Sequence, residues 1–138
     1  MYRLSLLLLS VLFLSNSLIL DLNSENLDAL MKHSSKPWFI LVCTEQGGLC
    51  SAYEDTWRQI THKFSETHHI AQLDGEQEKE VTRRFKVSSY PTFLYSEDKK
   101  NFIHHLLPRD YDGLVKFIEE THKRVPLERY RSLDPPSL

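Results

Sequence analysis

A continuous apolar run at residues 38–43 constrains the fold of this chain more than any other feature. It reads Trp38-Phe39-Ile40-Leu41-Val42-Cys43. It lacks the alternation of apolar and polar residues that is typical of a strand with one solvent-exposed face. Its aromatic and β-branched content is typical of a strand buried on both faces. Such a strand needs cover on each side, so the sequence predicts a layered α/β domain.

The segments around this run alternate between strand and helix patterns. Strands are predicted at Ile19–Leu22, Trp38–Cys43, His69–Leu73, Tyr90–Tyr95 and Phe102–Leu107. Helices are predicted after a cap at Asn23 or Ser24, over Tyr53–Phe64, over Glu76–Phe85 and over Asp110–His122. This order demands a mixed sheet with helices on both faces, in which the last two strands form an antiparallel hairpin.

The N-terminus has the pattern of a signal peptide. Arg3 precedes the apolar run Leu4–Leu14, and Ser15–Ser17 supplies small residues for cleavage. The run is shorter than the roughly 20 residues of a spanning helix. We therefore predict a signal peptide at 1–17, a domain at 18–124 and an extended or disordered tail at 125–138. The predicted location is the endoplasmic reticulum lumen or the outside of the cell, with membrane contact only through an uncleaved signal segment.

The charge and the histidines exclude several kinds of partner. The net charge of -2 comes from 17 basic and 19 acidic residues that are interspersed, so we expect no nucleic-acid binding. The seven histidines include the adjacent pairs His68-His69 and His104-His105. Adjacent histidines on a strand point to opposite faces. Each pair would supply at most one ligand to a given site, so we predict no metal, no cofactor and solvated or edge histidines.

The segment Phe85–Phe93, which reads Phe-Lys-Val-Ser-Ser-Tyr-Pro-Thr-Phe, resembles the cis-proline segment of protein disulfide isomerases and other thioredoxin-like proteins. Asp21–Leu27 resembles the first strand and helix of isomerase domains, Ala71–Asp74 their third strand and Pro108–Leu114 the start of their last helix. The resemblance covers residues 19–122 in the same order. It implies a thioredoxin-like α/β fold with a central mixed sheet and helices on both faces.

The resemblance also implies a degenerate redox site. The Trp-Cys-Gly-His-Cys stretch of the family falls on Gln46–Cys50, so Gly47 replaces the first cysteine and only Cys50 remains. The buried glutamate and the lysine that handle protons in isomerase domains fall on Leu41 and Gln72. Gly47 has no sulfur with which to attack a disulfide.

Two further positions are compared with the family. Arg109 falls where isomerases carry a loop arginine that tunes the second cysteine, although a solvated arginine at a helix start explains it equally well. Asp55 replaces a helix-kinking proline, which predicts a straighter helix here.

The two cysteines leave alternatives open. A Cys43–Cys50 bridge requires their α-carbons to lie within about 7 Å. We expect instead a buried, unreactive Cys43. A free Cys50 would suit a one-cysteine thiol-disulfide exchange catalyst, with Arg109 as a further catalytic candidate.

The expected function is binding rather than catalysis. In the family, the bend at the proline exposes the preceding backbone to an extended peptide, which here implicates Tyr90, Pro91 and the loop residues Gly47, Gly48 and Leu49. The alternative is that Pro91 only shapes the hairpin. Trp57 is either core or part of an exposed apolar patch beside this loop. The expected partners are unfolded clients or a lumenal protein.

Overall fold

The computed structural model describes residues 19–45, 48–105, 109–120 and 123. Within these residues the strands are β1 (Leu20–Leu22), β2 (Trp38–Cys43), β3 (His69–Asp74), β4 (Thr92–Ser96) and β5 (Ile103–His105). The helices are α1 (Leu27–Lys32), α2 (Gly48–Ser51), α3 (Glu54–Phe64), α4 (Lys79–Arg84) and α5 (Tyr111–Glu119). The signal peptide and the tail that we predict lie outside the described residues.

The strands form one mixed sheet in the order β1-β3-β2-β4-β5. β2 pairs in parallel with β3 and antiparallel with β4, so it lies at the centre. β4 and β5 are antiparallel neighbours, which confirms the predicted hairpin. The predicted bounds of β2 are confirmed as well.

The side chains of β2 alternate between two cores, one on each face of the sheet. On one face Trp38, Ile40 and Val42 pack with buried residues of α1 and α4, namely Leu27, Met31 and Val81. On the other face Phe39 and Leu41 pack with buried residues of α3 and α5, which are Trp57, Ile60, Phe64, Leu114, Phe117 and Ile118. A strand between two apolar layers has no position for a polar side chain, which explains the uniform hydrophobicity of the run.

The starts of α5 and α1 are held in different ways. The carboxylate of Asp110, the N-cap residue of α5, accepts from the N–H of Gly113 at 3.0 Å and satisfies a donor that the helix start leaves without an intrahelical partner. The N-cap residue of α1 is Asn26, which makes no side-chain cap hydrogen bond. The Oδ1 atom of Asn23 instead accepts from the backbone N–H groups of Glu25 and Asn26, each at 2.9 Å, and so holds the turn before α1.

The expected straight helix after residue 50 is wrong, because a turn at Ala52 and Tyr53 separates α2 from α3. The N–H of Tyr53 donates to the carbonyl of Cys50, three residues earlier, at 3.0 Å. This spacing winds the backbone more tightly than the four-residue spacing of an α-helix. Glu54 and Asp55 then lie in the first turn of α3, where negative charge stabilises a helix N-terminus. The break forms without a proline.

Phe39 is the residue whose loss should most disturb the core. Its ring lies 5.2 to 6.1 Å from the rings of Trp57, Phe93, Tyr95 and Phe117. We expect Phe39→Ala to lower the free energy of unfolding by about 3–5 kcal/mol, because it removes buried contacts and leaves a cavity. Urea denaturation would measure this loss. Leu30→Ala, at a leucine that is 37% exposed, is the control and should change stability little; equal losses would contradict the central role of Phe39.

Candidate functional site

The candidate site lies where the carboxyl ends of the parallel strands β2 and β3 meet the start of β4. Cys43 ends β2 and lies opposite Asp74, which ends β3. Val42 lies opposite Thr92, so Cys43 and Pro91 are each one residue beyond that pair, at the same end of the sheet. Ligand sites of open α/β sheets lie beyond the carboxyl ends of strands.

A disulfide joins Cys43 to Cys50, with the two α-carbons 5.8 Å apart. It ties the end of β2 to α2. Both residues are half-buried. The expectation of a buried, unreactive Cys43 is therefore wrong, because its side chain is half-buried and bonded to Cys50. A one-cysteine mechanism would first need this bond to be reduced.

Backbone hydrogen bonds hold the surroundings of the disulfide. The N–H of Thr44 donates to Sγ of Cys50 at 3.4 Å. The N–H of Gly75 donates to the carbonyl of Cys43 at 2.7 Å, which extends the β2–β3 contact past the end of β3. One hydrogen bond thus holds the backbone of Cys43 to the residue after β3, and the other reaches the sulfur of Cys50 from the backbone of Thr44.

The Tyr90-Pro91 peptide bond is cis. Beside it, the hydroxyl of Thr92 donates to the carbonyl of Ser89 at 2.7 Å and closes the turn. Within the described part of the chain, nothing bonds to the backbone N–H or carbonyl of Tyr90. This backbone unit, at the edge of the site, is free to pair with an added strand.

The ring of Tyr90 packs directly over Gly75. A β-carbon built on Gly75 would lie 2.2 Å from Cε1 and 2.5 Å from the hydroxyl oxygen of Tyr90, far inside contact distance. The ring also packs against the core on the α1 and α4 face. Burial, followed by the nearby carboxylates of Glu76 and Asp74, raises the pKa of Tyr90, which keeps the phenol neutral.

Arg109 lies on the other side of the site, with its guanidinium carbon 5.8 Å from the ring centroid of Tyr53. Tyr53 in turn packs edge-on against Phe93, at 6.0 Å between centroids. A guanidinium over a tyrosine face is a favourable cation–π arrangement. Arg109 therefore contacts the turn that follows Cys50, and it is not simply solvated.

The positions that we compared with the proton-handling pair of isomerases hold no ionisable group. Leu41 is buried and lies opposite both Gln72 on β3 and Phe93 on β4. Gln72 is exposed and donates to the carboxylate of Asp21 at 2.6 Å. Proton transfer cannot pass through either side chain.

The remaining predicted binding residues are placed unequally. Gly47 lies outside the described residues, whereas Gly48 and Leu49 form the start of the α2 backbone. Trp57 is 2% exposed and belongs to the core, so the first of its two predicted alternatives is confirmed and the exposed patch is excluded. Tyr90 is half-buried and keeps one side toward solvent.

His69 and His105 each pack against aromatic side chains. His69 stacks on Trp38 at 4.4 Å between centroids and contacts the hydroxyl of Ser34. His105 lies on the edge strand β5 and is buried against Phe117, at 4.2 Å between ring centroids. Of the expected solvated or edge positions, it therefore has the edge position and is not solvated. Among residues 19–45, 48–105, 109–120 and 123 there is no group of three side chains suited to a metal ion. In the same ranges, every helix is too short or too polar to cross a bilayer.

With this geometry, the chain belongs to the thioredoxin family, whose model matches residues 18–120. Protein disulfide-isomerase like 2-2 of Arabidopsis thaliana is 26% identical over 94 residues, which are 67% of this chain and 20% of that protein. Protein disulfide-isomerase erp38 of Neurospora crassa is 28% identical over 111 residues, covering 77% of this chain and 30% of the relative. The chain thus spans a third or less of the length of these relatives.

Solved structures show the same fold. The first thioredoxin domain of mouse protein disulfide-isomerase A4 superposes with a TM-score of 0.68 at 17% identity, covering 88% of this chain and 83% of that domain. The J-Trx1 fragment of ERdj5 gives 0.67 at 21% identity, covering 78% and 53%. The predicted thioredoxin-like α/β fold is confirmed.

Two residues of the site differ from their sequence-based expectation. For Cys43 the bridge to Cys50 was only the alternative to a buried, unreactive side chain, whereas the side chain is half-buried and bonded to Cys50. Gly75 was not among the predicted site residues, although a glycine directly after the last residue of a central strand can indicate that another group packs closely against the backbone. The structure shows that this group is the ring of Tyr90.

We expect Gly75→Ala to displace the ring of Tyr90 and to lower the free energy of unfolding by about 1–3 kcal/mol, as overpacking does. In a Tyr90→Ala background the same change should cost little, because the clashing ring is absent. A double-mutant cycle by urea denaturation measures the coupling. Purely additive effects would contradict direct contact between the two residues.

Stability should fall in mild acid because of the half-buried His104. Nε2 of His104 lies 2.6 Å from the carbonyl of Phe85, so this nitrogen must carry a proton and donate. Burial lowers the pKa of His104, against the opposing effect of that carbonyl. The unfolded chain therefore binds more protons below about pH 6.5, so stability is complete above that pH and declines beneath it.

Urea midpoints at about pH 7.5 and pH 5 measure this dependence. His104→Gln keeps a donor for Phe85 and should reduce the loss on acidification. His62→Gln, on the exposed side of α3, is the control and should leave the loss unchanged. An identical loss in wild type and His104→Gln would show that His104 does not cause it.

Proposed function

We propose that this chain is a redox-degenerate domain of the protein disulfide isomerase kind, which binds unfolded or partly folded polypeptides, or a lumenal partner protein, and assists folding in the secretory pathway. The observation that carries the proposal is the backbone of Tyr90, beside Pro91 at the edge of the site, which has no hydrogen-bond partner among the residues that the structure describes. An unfolded client offers what this backbone lacks, an extended chain with free N–H and carbonyl groups.

The surroundings of Tyr90 favour this kind of ligand. The half-buried ring is held over Gly75, so the backbone before Pro91 is fixed in place before a peptide arrives. A fixed partner loses less conformational entropy on binding than a mobile loop does. Backbone pairing also recognises main-chain groups that every sequence has, which suits a binder of varied clients.

The location in the endoplasmic reticulum lumen or outside the cell is part of the proposal. It is supported by the signal-peptide pattern of residues 1–17 and by the Cys43–Cys50 bond, because disulfides persist in oxidising compartments. The protein disulfide isomerases among the relatives agree with it.

Binding ranks ahead of one-cysteine catalysis for two reasons. A lone Cys50 nucleophile requires a free thiolate, and the structure has this sulfur bonded to Cys43. Leu41 and Gln72 also supply no group that could exchange a proton with it. Neither feature affects the backbone of Tyr90.

Binding should depend on the backbone of the peptide ligand. We expect a fluorescent, cysteine-free peptide of alternating apolar and polar residues to bind the 138-residue chain. N-methylation of the amide that pairs with the carbonyl of Tyr90 should weaken binding about tenfold, equivalent to about 1.4 kcal/mol for lost backbone hydrogen bonding. Methylation at the adjacent amide, which points away in a strand, should have little effect. Fluorescence anisotropy measures both, and equal effects at neighbouring amides would contradict strand pairing.

A pair of tyrosine variants tests the position of the site. Tyr90→Ala should weaken peptide binding and reduce the delay of aggregation of an unfolded, alkylated client. Tyr111→Ala is the matched control, since Tyr111 packs against the core of the α3 and α5 face, on the opposite face of the sheet from the core that the ring of Tyr90 contacts. Absence of any peptide binding by the wild-type chain would refute the proposed function.

A further inference from the structure

We propose that Ser34 and His69 form a second site, in which Ser34 attacks small carboxylic esters and His69 acts as the general base. This site lies at the other end of the sheet from the disulfide, because His69 begins β3 beside Trp38, which begins β2, whereas Cys43 ends β2. A strand of this length spans about 17 Å. The proposed ester hydrolysis therefore does not depend on the proposed peptide binding.

Three separate segments of the chain meet at Ser34. Ser34 lies in the connection between α1 and β2, and its Oγ atom contacts Nε2 of His69, the first residue of β3. The ammonium of Lys99, in the turn between β4 and β5, donates to the carbonyl of Ser34. A hydroxyl within hydrogen-bond reach of an imidazole is the arrangement that activates a serine nucleophile.

The hydrogen bonds of Ser34 suit transfer of its proton to His69. The N–H of Lys36 donates to Oγ of Ser34 at 3.2 Å, so the hydroxyl accepts one bond and has its single proton for Nε2 of His69. Burial, followed by the positive charges of Lys36 and Lys99, lowers the pKa of His69 and favours the neutral imidazole. A neutral imidazole can take a proton from the attacking serine, which an imidazolium cannot do.

The imidazole of His69 is held in place by residues at the start of β2. Its ring stacks on the buried ring of Trp38, at 4.4 Å between centroids. The N–H of His69 donates to the carbonyl of Pro37 at 2.8 Å. A base that a third group orients is a further feature of serine nucleophiles. Ser34 and His69 are both half-buried, so a small ester can reach them from solvent.

Lys99 supplies positive charge from a turn that is itself held by a hydrogen bond. Oγ of Ser96, the last residue of β4, accepts from the N–H of Lys99 at 2.9 Å. Attack on an ester turns the carbonyl oxygen into an oxyanion, which a nearby fixed cation stabilises. The contact with the backbone of Ser34 keeps the ammonium of Lys99 close to the reacting hydroxyl.

The reaction needs only water as a second reactant. Oγ of Ser34 bonds to the carbonyl carbon while Nε2 of His69 takes the hydroxyl proton. The bond from this carbon to the alcohol oxygen breaks, and the alcohol leaves with the proton that His69 returns. Water then attacks the acyl group on Ser34, His69 takes a proton from this water and passes it to Oγ, and the carboxylic acid leaves.

Covalent labelling of the 138-residue chain tests the nucleophile. A fluorophosphonate forms a phosphorus–oxygen bond to an activated serine and releases fluoride, and tandem mass spectrometry locates the adduct. We expect the adduct on Ser34 and none on Ser35, an adjacent exposed serine. His69→Gln should slow labelling about 100-fold, whereas His33→Gln, at an exposed histidine, should not. An unlabelled Ser34, or equal labelling of the two serines in the wild-type chain, would overturn the inference.

Release of nitrophenol from p-nitrophenyl acetate tests turnover. The activity should be lost in Ser34→Ala and retained in Ser35→Ala, and in the wild-type chain it should rise with pH as His69 loses its proton. Lys99→Gln should move the midpoint of this rise to higher pH, because one of the two positive charges that lower the pKa of His69 is gone. Equal rates in the two serine variants, or an unshifted midpoint, would overturn the inference.

Peptide binding separates this inference from the proposed function. Ser34→Ala should bind the cysteine-free peptide as the wild-type chain does, because Ser34 lies at the other end of the sheet. Peptide binding without labelling of Ser34 would refute the ester site alone, whereas labelling without peptide binding would refute the proposed function alone.

Discussion

The burial of β2 on both faces is the constraint on which the rest of the structure depends. Five consecutive residues contribute alternately to two cores, and α1, α3, α4 and α5 are needed to cover them. The strand is apolar as far as Val42, and its next residue, Cys43, reaches solvent. The site lies where this central strand ends and its side chains reach solvent, so the residues of the site are attached to backbone that the two cores hold in place.

The sequence predicted the layered fold, β2 and the final hairpin, because these depend on local hydrophobic patterns and on a family resemblance around Pro91. It left the Cys43–Cys50 disulfide only as an alternative, because the distance between the end of β2 and the start of α2 is a tertiary property that residue spacing does not give. The break between α2 and α3 was not predicted, because Asp55 stands where the family has a helix-kinking proline and a straight helix was therefore expected. The break forms nevertheless, and Glu54 and Asp55 provide the negative charge that favours the start of α3. The burial of His105 depends on Phe117 of α5, a contact that strand periodicity cannot reveal.

The site combines family features with departures from them. Pro91 and Arg109, which we compared with isomerase positions, lie at the site, with a cis peptide before the proline and the arginine over Tyr53. Leu41 and Gln72, compared with a proton-handling pair, hold no ionisable group. One sulfur of the disulfide belongs to the end of β2 and the other to α2. The two kinds of change are physically separable, because peptide recognition uses backbone atoms near Tyr90 and sulfur chemistry uses side chains of β2 and α2.

The contact between Gly75 and Tyr90 has a consequence for evolution. Two residues from different loops fill one space, and neither can enlarge unless the other shrinks. Among descendants of a common ancestor the two positions should therefore change together. Lineages that retain an aromatic residue before the proline should retain glycine after the third strand. Lineages with a larger residue at the glycine position should have a smaller residue before the proline. The pair would then act as a heritable marker of how each lineage shapes the edge of its site.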